Sequence, residues 1–190
     1  MRLIRLKILK ILITLKKKFN MVIWLIGLSR SGKTTIGKKI IKKLKKNRDR
    51  KIVHLDGDVV RTIYNDKLGH TLKDREINAS RISRLSKFLS DEGIDVVASV
   101  LSNFPKWQTW NKKNIKKYHQ IYLKVNFERL LERDTNKLYK KALEGKIKNV
   151  VGVDIKFNKP ISSTVIIDNS AKLKNFDIIV KEILNKINIK

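Results

Sequence analysis

Residues 27 to 35 read Gly27-Leu28-Ser29-Arg30-Ser31-Gly32-Lys33-Thr34-Thr35, directly after the apolar run Met-Val-Ile-Trp-Leu-Ile at 21 to 26. Glycines at both ends of such a loop let the backbone curl until successive N–H groups converge on one anion. A helix beginning at Gly32 adds the positive end of its dipole to the same point. The whole stretch from Gly27 to Thr35 is therefore the expected phosphate cradle. Lys33 is placed to reach the β- and γ-phosphates, and the Thr34 hydroxyl to ligate Mg²⁺. The donor this implies is a nucleoside triphosphate, ATP.

A second chemical cluster follows at His54-Leu55-Asp56-Gly57-Asp58-Val59-Val60-Arg61. Two carboxylates two residues apart at a strand end can enter one cleft. Asp56 then serves the metal and its waters, and Asp58 a substrate hydroxyl. Either aspartate alone could instead cap the next helix; beside a phosphate loop the catalytic pairing is the stronger reading. Arg61, one helical turn beyond Asp58, is placed to grip an anionic acceptor.

The elements that must carry these groups alternate in type. Short apolar runs at 21–26, 51–55, 94–101, 120–125 and 164–168 read as strands, the first apolar throughout, as suits a strand covered on both faces. Ile36, Ile40, Ile41 and Leu44 recur at helical spacing. Residues 74–91, 127–144 and 176–187 have the same periodicity. Trp107 and Trp110 also stand one helical turn apart, a spacing that suits core packing better than a base platform. The predicted class is α/β: a three-layer P-loop nucleoside-triphosphate kinase fold with a mostly parallel five-stranded sheet. Ligands in such sheets sit at the carboxyl ends of the strands, where both clusters fall.

Composition removes other classes. The chain has 190 residues and no cysteine, which excludes disulfides and thiolate metal sites, and its three histidines lack metal-ligand spacing. A net charge of +28 would ordinarily suggest a polyanion partner. The excess is lysine spread along the chain beside abundant Ile and Asn, as AT-rich coding produces, and no nucleic-acid-binding motif accompanies it; no nucleic-acid partner is expected. Neither a guanine-reading Asn-Lys-x-Asp nor an apolar run ending in Asp-Glu is in place. A GTPase switch and an ATP-driven motor are thereby disfavoured against a compact kinase.

Taken together and in order, WLIGLSRSGKTT, LDGDVVR, DREIN and LYKKALEGKIKNVVGVD resemble the adenylylsulfate kinase family over roughly residues 21 to 170. The resemblance implies transfer of the ATP γ-phosphate to the ribose 3′-hydroxyl of adenylylsulfate, the step of sulfate assimilation that makes the activated sulfate donor. It implies roles for Asp58 beside the acceptor hydroxyl, for Arg61, Arg75, Asn78 and Leu101 around the acceptor nucleotide, and for Ser102 as the serine described as a phosphoserine. Direct in-line transfer needs only positioning and charge neutralisation, so a substrate-binding Ser102 is preferred to a covalent intermediate. The chain departs from the family where two aromatics sandwich the adenine: His70 and Val150 stand there. An aromatic platform contributes about 1–3 kcal/mol per stacked base, so purine binding should weaken. Asn103 replaces the proline of Ser-Pro-aromatic, and Gln108 stands near the place of an arginine. Asn136 replaces a substrate-contacting lysine, with Lys137 a candidate substitute. The leading acceptor is adenylylsulfate; the alternative is another nucleotide anhydride such as cytidine diphosphoramidate, a capsule-pathway acceptor. The resemblance leaves a homodimer open.

Residues 1–20 carry Arg2, Arg5, Lys7, Lys10 and Lys16 to Lys18 and no acid. They lack the unbroken apolar core of a signal peptide and are too charged to span a bilayer. They read as a basic N-terminal extension, either resting weakly on anionic lipid or preceding a start at Met21, with 21–190 as the kinase domain. The expected location is cytoplasmic. The segment from Lys137 to Asp154 reads as a lid over the phosphates.

Overall fold

The computed structural model describes residues 20–46, 50–64, 67–171 and 175–189. The N-terminal extension, apart from Asn20, lies outside the described residues. The strands are β1 (Val22–Ile26), β2 (Ile52–Asp56), β3 (Asp95–Val100), β4 (Tyr118–Lys124) and β5 (Val165–Asp168). The helices are α1 (Lys33–Leu44), α2 (Gly57–Tyr64), α3 (Leu72–Asp91), α4 (Pro105–Asn114), α5 (Phe127–Glu132), α6 (Leu138–Leu143) and α7 (Phe176–Lys186). The sheet order is β2-β3-β1-β4-β5 and every strand pair is parallel, so the sheet is wholly rather than mostly parallel.

Central β1 is fully buried, and its alternate side chains feed opposite faces. Ile23 and Leu25 join Val97, Ile121 and Ile167 beneath Ile36 and Ile40 of α1 and Ile179 and Ile183 of α7. Val22, Trp24 and Ile26 join Leu55, Val96 and Ala98 on the other face, closed by Val60 of α2 and Ile82 of α3. A third, smaller cluster of Leu130, Tyr139, Ala142 and Val150 sits apart from the sheet, with Leu28 of the phosphate loop packed against it.

The periodicity over 127–144 predicts one helix; the structure has two. Arg133 caps α5 and Lys137 takes a left-handed φ of 56°. Between them the Asp134 carboxylate accepts from the N–H groups of Leu138, Tyr139 and Lys140 at 2.9, 2.6 and 3.3 Å. These are orphan donors of a new helix start, and their capture by one buried acid outweighs continuation of the old helix. Helices α2 and α4 are implied in the sequence only by residue spacings, and α4 also by Pro105 at its first turn. Among the described residues no helix is long and apolar enough to cross a membrane.

Candidate active site

The chain leaves β1 into the loop 27–32 and re-enters helix at Lys33. Gly27 is pressed against its surroundings: a Cβ there would lie 2.6 Å from Ser31 Oγ and 2.8 Å from the Leu123 carbonyl oxygen. Gly32 ends the loop at φ 94°, a region open to glycine, and Arg30 turns at φ 63°. The fully buried Asn169 donates to the Ser31 carbonyl at 3.0 Å, and the Tyr139 hydroxyl donates to the Ser29 carbonyl at 3.0 Å. The loop is thus held from β5 on one side and from α6 on the other.

At the carboxyl ends of β1, β2 and β3 a cleft of about 420 Å³ opens. Ser29, Arg30, Lys33 and Thr34 line its phosphate-loop side, and Asp56, Asp58 and Arg61 line the β2–α2 side. Arg75 and Asn78 enter from α3, and Leu101 and Ser102 from the end of β3. The sequence clusters therefore converge on one space. Lys33 Nζ donates to the Leu28 carbonyl at 2.7 Å. Burial pushes its pKa down to about 8, against the opposing pull of Asp56 and Asp58.

Thr34 Oγ1 donates to Asp56 Oδ2 at 2.7 Å, and the Asp58 N–H donates to Asp56 Oδ1 at 3.1 Å. A hydroxyl and a carboxylate side by side suit Mg²⁺, which takes few protein oxygens and completes its shell with water and phosphate. No cluster of three or more His, Cys, Asp or Glu that could hold a metal occurs among the described residues, so a metal here would depend on the phosphates as well. The donor set fits that arrangement.

The wall built from α2 and α3 is cationic and under-satisfied. Arg61 donates to the Gly57 carbonyl at 3.3 Å, while its Nε has no hydrogen-bond partner. Asn78 donates to the same carbonyl at 2.9 Å, and its buried Oδ1 is likewise unpartnered. Arg75 has its pKa lowered by burial and by the neighbouring Arg61 charge. An anion placed between the two guanidiniums would relieve that repulsion.

Three candidate residues fall outside this wall. Val150 is 6% exposed and packs into the Leu130–Tyr139–Ala142 cluster. Left-handed Asn149 turns the backbone there, and its carbonyl, rather than the Val150 side chain, meets this wall by accepting from Arg75 at 2.8 Å. His70 is exposed; its carbonyl accepts from Arg75 Nε at 2.8 Å, and burial, then Arg75, lower its pKa. No ring platform is formed from these two positions. Lys137 is exposed as the left-handed cap of α6, whereas its neighbours Asn136 and Leu138 line the cleft. The segment expected to act as a lid is fastened at Asp154, which accepts from the N–H groups of Asn149 and Val150 at 2.5 and 2.6 Å.

Other lining residues were not legible as such. Phe104 contributes an aromatic, and Ala79 and Ile82 continue the Arg75 face of α3 at helical spacing, which is the signal that could have found them. The Trp107 and Trp110 rings meet at 5.9 Å, tilted 59° to each other, with the Arg84 guanidinium 5.8 Å from each ring. They pack α4 on α3 and do not line the cleft. Ser102 has φ 51° and is buried; its hydroxyl accepts from Trp24 Nε1 at 3.3 Å.

The profile of the family described as adenylylsulphate kinase matches residues 19–168. A cytidine diphosphoramidate kinase of Campylobacter jejuni is 40% identical over 169 residues, covering 87% of this chain and 95% of that protein. A probable adenylyl-sulfate kinase of Archaeoglobus fulgidus is 33% identical over 149 residues, covering 78% and 96%. The Mycobacterium tuberculosis APS kinase solved with AMPPNP and APS superposes with a TM-score of 0.80 at 24% identity, covering 89% of this chain and 98% of that one, a likeness of fold.

Proposed function

The chain belongs to the adenylylsulphate kinase family and is a phosphotransferase, and we propose that it transfers the γ-phosphoryl group of ATP to the ribose 3′-hydroxyl of cytidine diphosphoramidate. The observation that carries this acceptor is Asn136 in the cleft wall where the resemblance places a lysine, with Lys137 turned out to solvent. A sulfate offers only acceptor oxygens and calls for cations. A phosphoramidate also offers N–H donors, and an amide side chain can both accept from them and donate to the adjoining oxygen. The burial of Val150 supports the same choice, because a purine would lose its platform there and a smaller pyrimidine needs less of one. The cytidine-acting relative also shares more identity than the adenylylsulfate-acting one.

In this reading Lys33 and the loop N–H groups neutralise charge on the transferring phosphoryl, and Thr34 and Asp56 would hold Mg²⁺, which would supply further neutralisation of the phosphate charge. Asp58, on the opposite wall, orients the acceptor hydroxyl and takes its proton as the phosphoryl leaves the donor. Arg61, Arg75 and Asn78 hold the acceptor's anionic groups. Ser102 shapes the wall without being phosphorylated. Residues 21–190 form the kinase unit, and removal of residues 1–20 leaves turnover nearly intact.

Adenylylsulfate remains the second reading, supported by the family match and by Phe104 as the aromatic lining the cleft. ADP release coupled to a dehydrogenase reports each acceptor in turn. Turnover on the cytidine compound with little on adenylylsulfate is expected; the reverse pattern overturns the assignment.

A further inference from the structure

The buried amides behind the acceptor wall form a directed chain. The Tyr118 hydroxyl donates to Gln120 Oε1 at 2.9 Å, Gln120 Nε2 donates to Gln108 Oε1 at 3.4 Å, and Gln108 Nε2 donates to the Ser102 carbonyl at 2.9 Å. Gln108 is 7% exposed and Gln120 3%. Burying two amides between a sheet and a helix is costly unless each is satisfied, so the chain needs its end point as much as the end point needs the chain.

That end point is a strained residue of the cleft. Ser102 sits at φ 51°, where a side-chain-bearing residue is unfavourable without external hold. Its turn directs Leu101, Asn103 and Phe104, all of which line the cleft. Trp24 holds the Ser102 hydroxyl, but only Gln108 holds its carbonyl among the described hydrogen bonds. Among the described hydrogen bonds, those of this relay do not reach the phosphate loop.

We propose that Gln108 is a positioning residue for the acceptor: backed by Gln120, its amide locks the left-handed turn at Ser102 and so sets the wall against which the acceptor nucleotide binds. This rests on the reading that the β3–α4 side of the cleft is the acceptor side. It leaves the choice of acceptor free.

The test uses the full chain as wild type, Gln108→Leu and Gln108→Glu, with each substrate titrated at saturating levels of the other. Wild type is assayed first on cytidine diphosphoramidate and on adenylylsulfate, and the variants on the one it turns over. A wrong acceptor in the reading above therefore shows in the control and leaves this test intact. Gln108→Leu keeps the bulk and removes the donor, and should raise the acceptor KM about tenfold while the ATP KM stays within about twofold.

Gln108→Glu adds a readout that a merely structural role would not move. A protonated carboxyl donates to the Ser102 carbonyl as the amide does, an ionised one repels it, and burial extends the protonated range upward. Its acceptor KM should sit near wild type at about pH 6 and climb toward the Gln108→Leu value by about pH 9, measured against the wild-type profile. Tyr118, facing the chain from β4, has its pKa raised by burial and stays protonated. On the facing α3, Arg84 lies against Trp107 and Trp110, and Glu76 pairs with Lys106. An unchanged acceptor KM in Gln108→Leu, equal rises in both KM values, or a Gln108→Glu profile parallel to wild type would each overturn the proposal. If Gln108→Leu does not fold, the two ends of the Gln108→Glu profile, taken on one preparation, decide it.

Discussion

Gly37, on the sheet-facing side of α1, gives the sharpest test of how the phosphate-loop helix is seated. On an exposed helix Gly→Ala stabilises by about 1 kcal/mol, and burial of a methyl adds about 0.8 kcal/mol. At Gly37 a Cβ would stand 2.8 Å from Ser99 Oγ and 3.0 Å from His54 Nε2. Those two atoms are bonded to each other at 2.9 Å, and Ser99 Oγ donates onward to the Lys33 carbonyl at 3.2 Å. They cannot retreat without breaking that relay. Overpacking costs about 1–3 kcal/mol and each buried hydrogen bond lost about 1–3 kcal/mol more, so Gly37→Ala should be destabilising by about 1–3 kcal/mol net. For a chain of this size that is a fall of about 3–10 °C in Tm. If α1 yields instead, it draws Thr34 away from Asp56, and the ATP KM rises. Denaturant unfolding of Gly37→Ala, Ser99→Ala and the double variant separates the terms, because trimming Ser99 removes the closer clash and the double variant should cost less than the sum of the singles. A more stable Gly37→Ala, or strict additivity, refutes the reasoning.

Three other expectations concern the cleft. Since Lys33 is pushed down to about 8 from an unfolded value of 10.5, the unfolded chain binds more protons between these pH values, and the stability of the nucleotide-free protein should rise with pH across that window. ATP affinity should fall over the same range, approaching about tenfold per pH unit as the cation is lost; a flat calorimetric profile counts against a phosphate-binding Lys33. Asp58→Asn should lower kcat by about a hundredfold or more with the ATP KM unchanged, and near-normal single-turnover rates would remove Asp58 from proton transfer. Tyr139→Phe deletes one hydrogen bond to the Ser29 carbonyl, worth about 1 kcal/mol, and should weaken ATP about fivefold in a binding titration; unaltered affinity would show that α6 does not brace the loop.

The phosphate loop, the Asp56–Asp58 pair and all five strands were legible because each is specified locally: glycines where the backbone must approach, an apolar run where both faces are covered, acids at a strand end. The break at 133–137 was not, because no glycine or proline marks it. A single carboxylate, Asp134, decides it by a contest between helix starts that periodicity does not register. Val150 shows a different limit. Resemblance assigns its place in the chain, but its direction is set by left-handed Asn149 and the Asp154 cap. The Gln108–Gln120 chain joins α4 to β4 through side chains alone, and adjacency of that kind appears only when the sheet is assembled.

One feature of the loop bears on how the two substrates influence each other. Tyr139 grips Ser29, and Arg30 lies 3.7 Å from Asp134, the acid that starts α6, while Asn136 and Leu138 of that same turn also line the cleft. The phosphate loop and the part of the cleft proposed to meet the acceptor are therefore one mechanical piece. Whatever free energy of adjustment passes through it is shared symmetrically: a donor that tightens the acceptor's hold by some factor has its own hold tightened by the same factor.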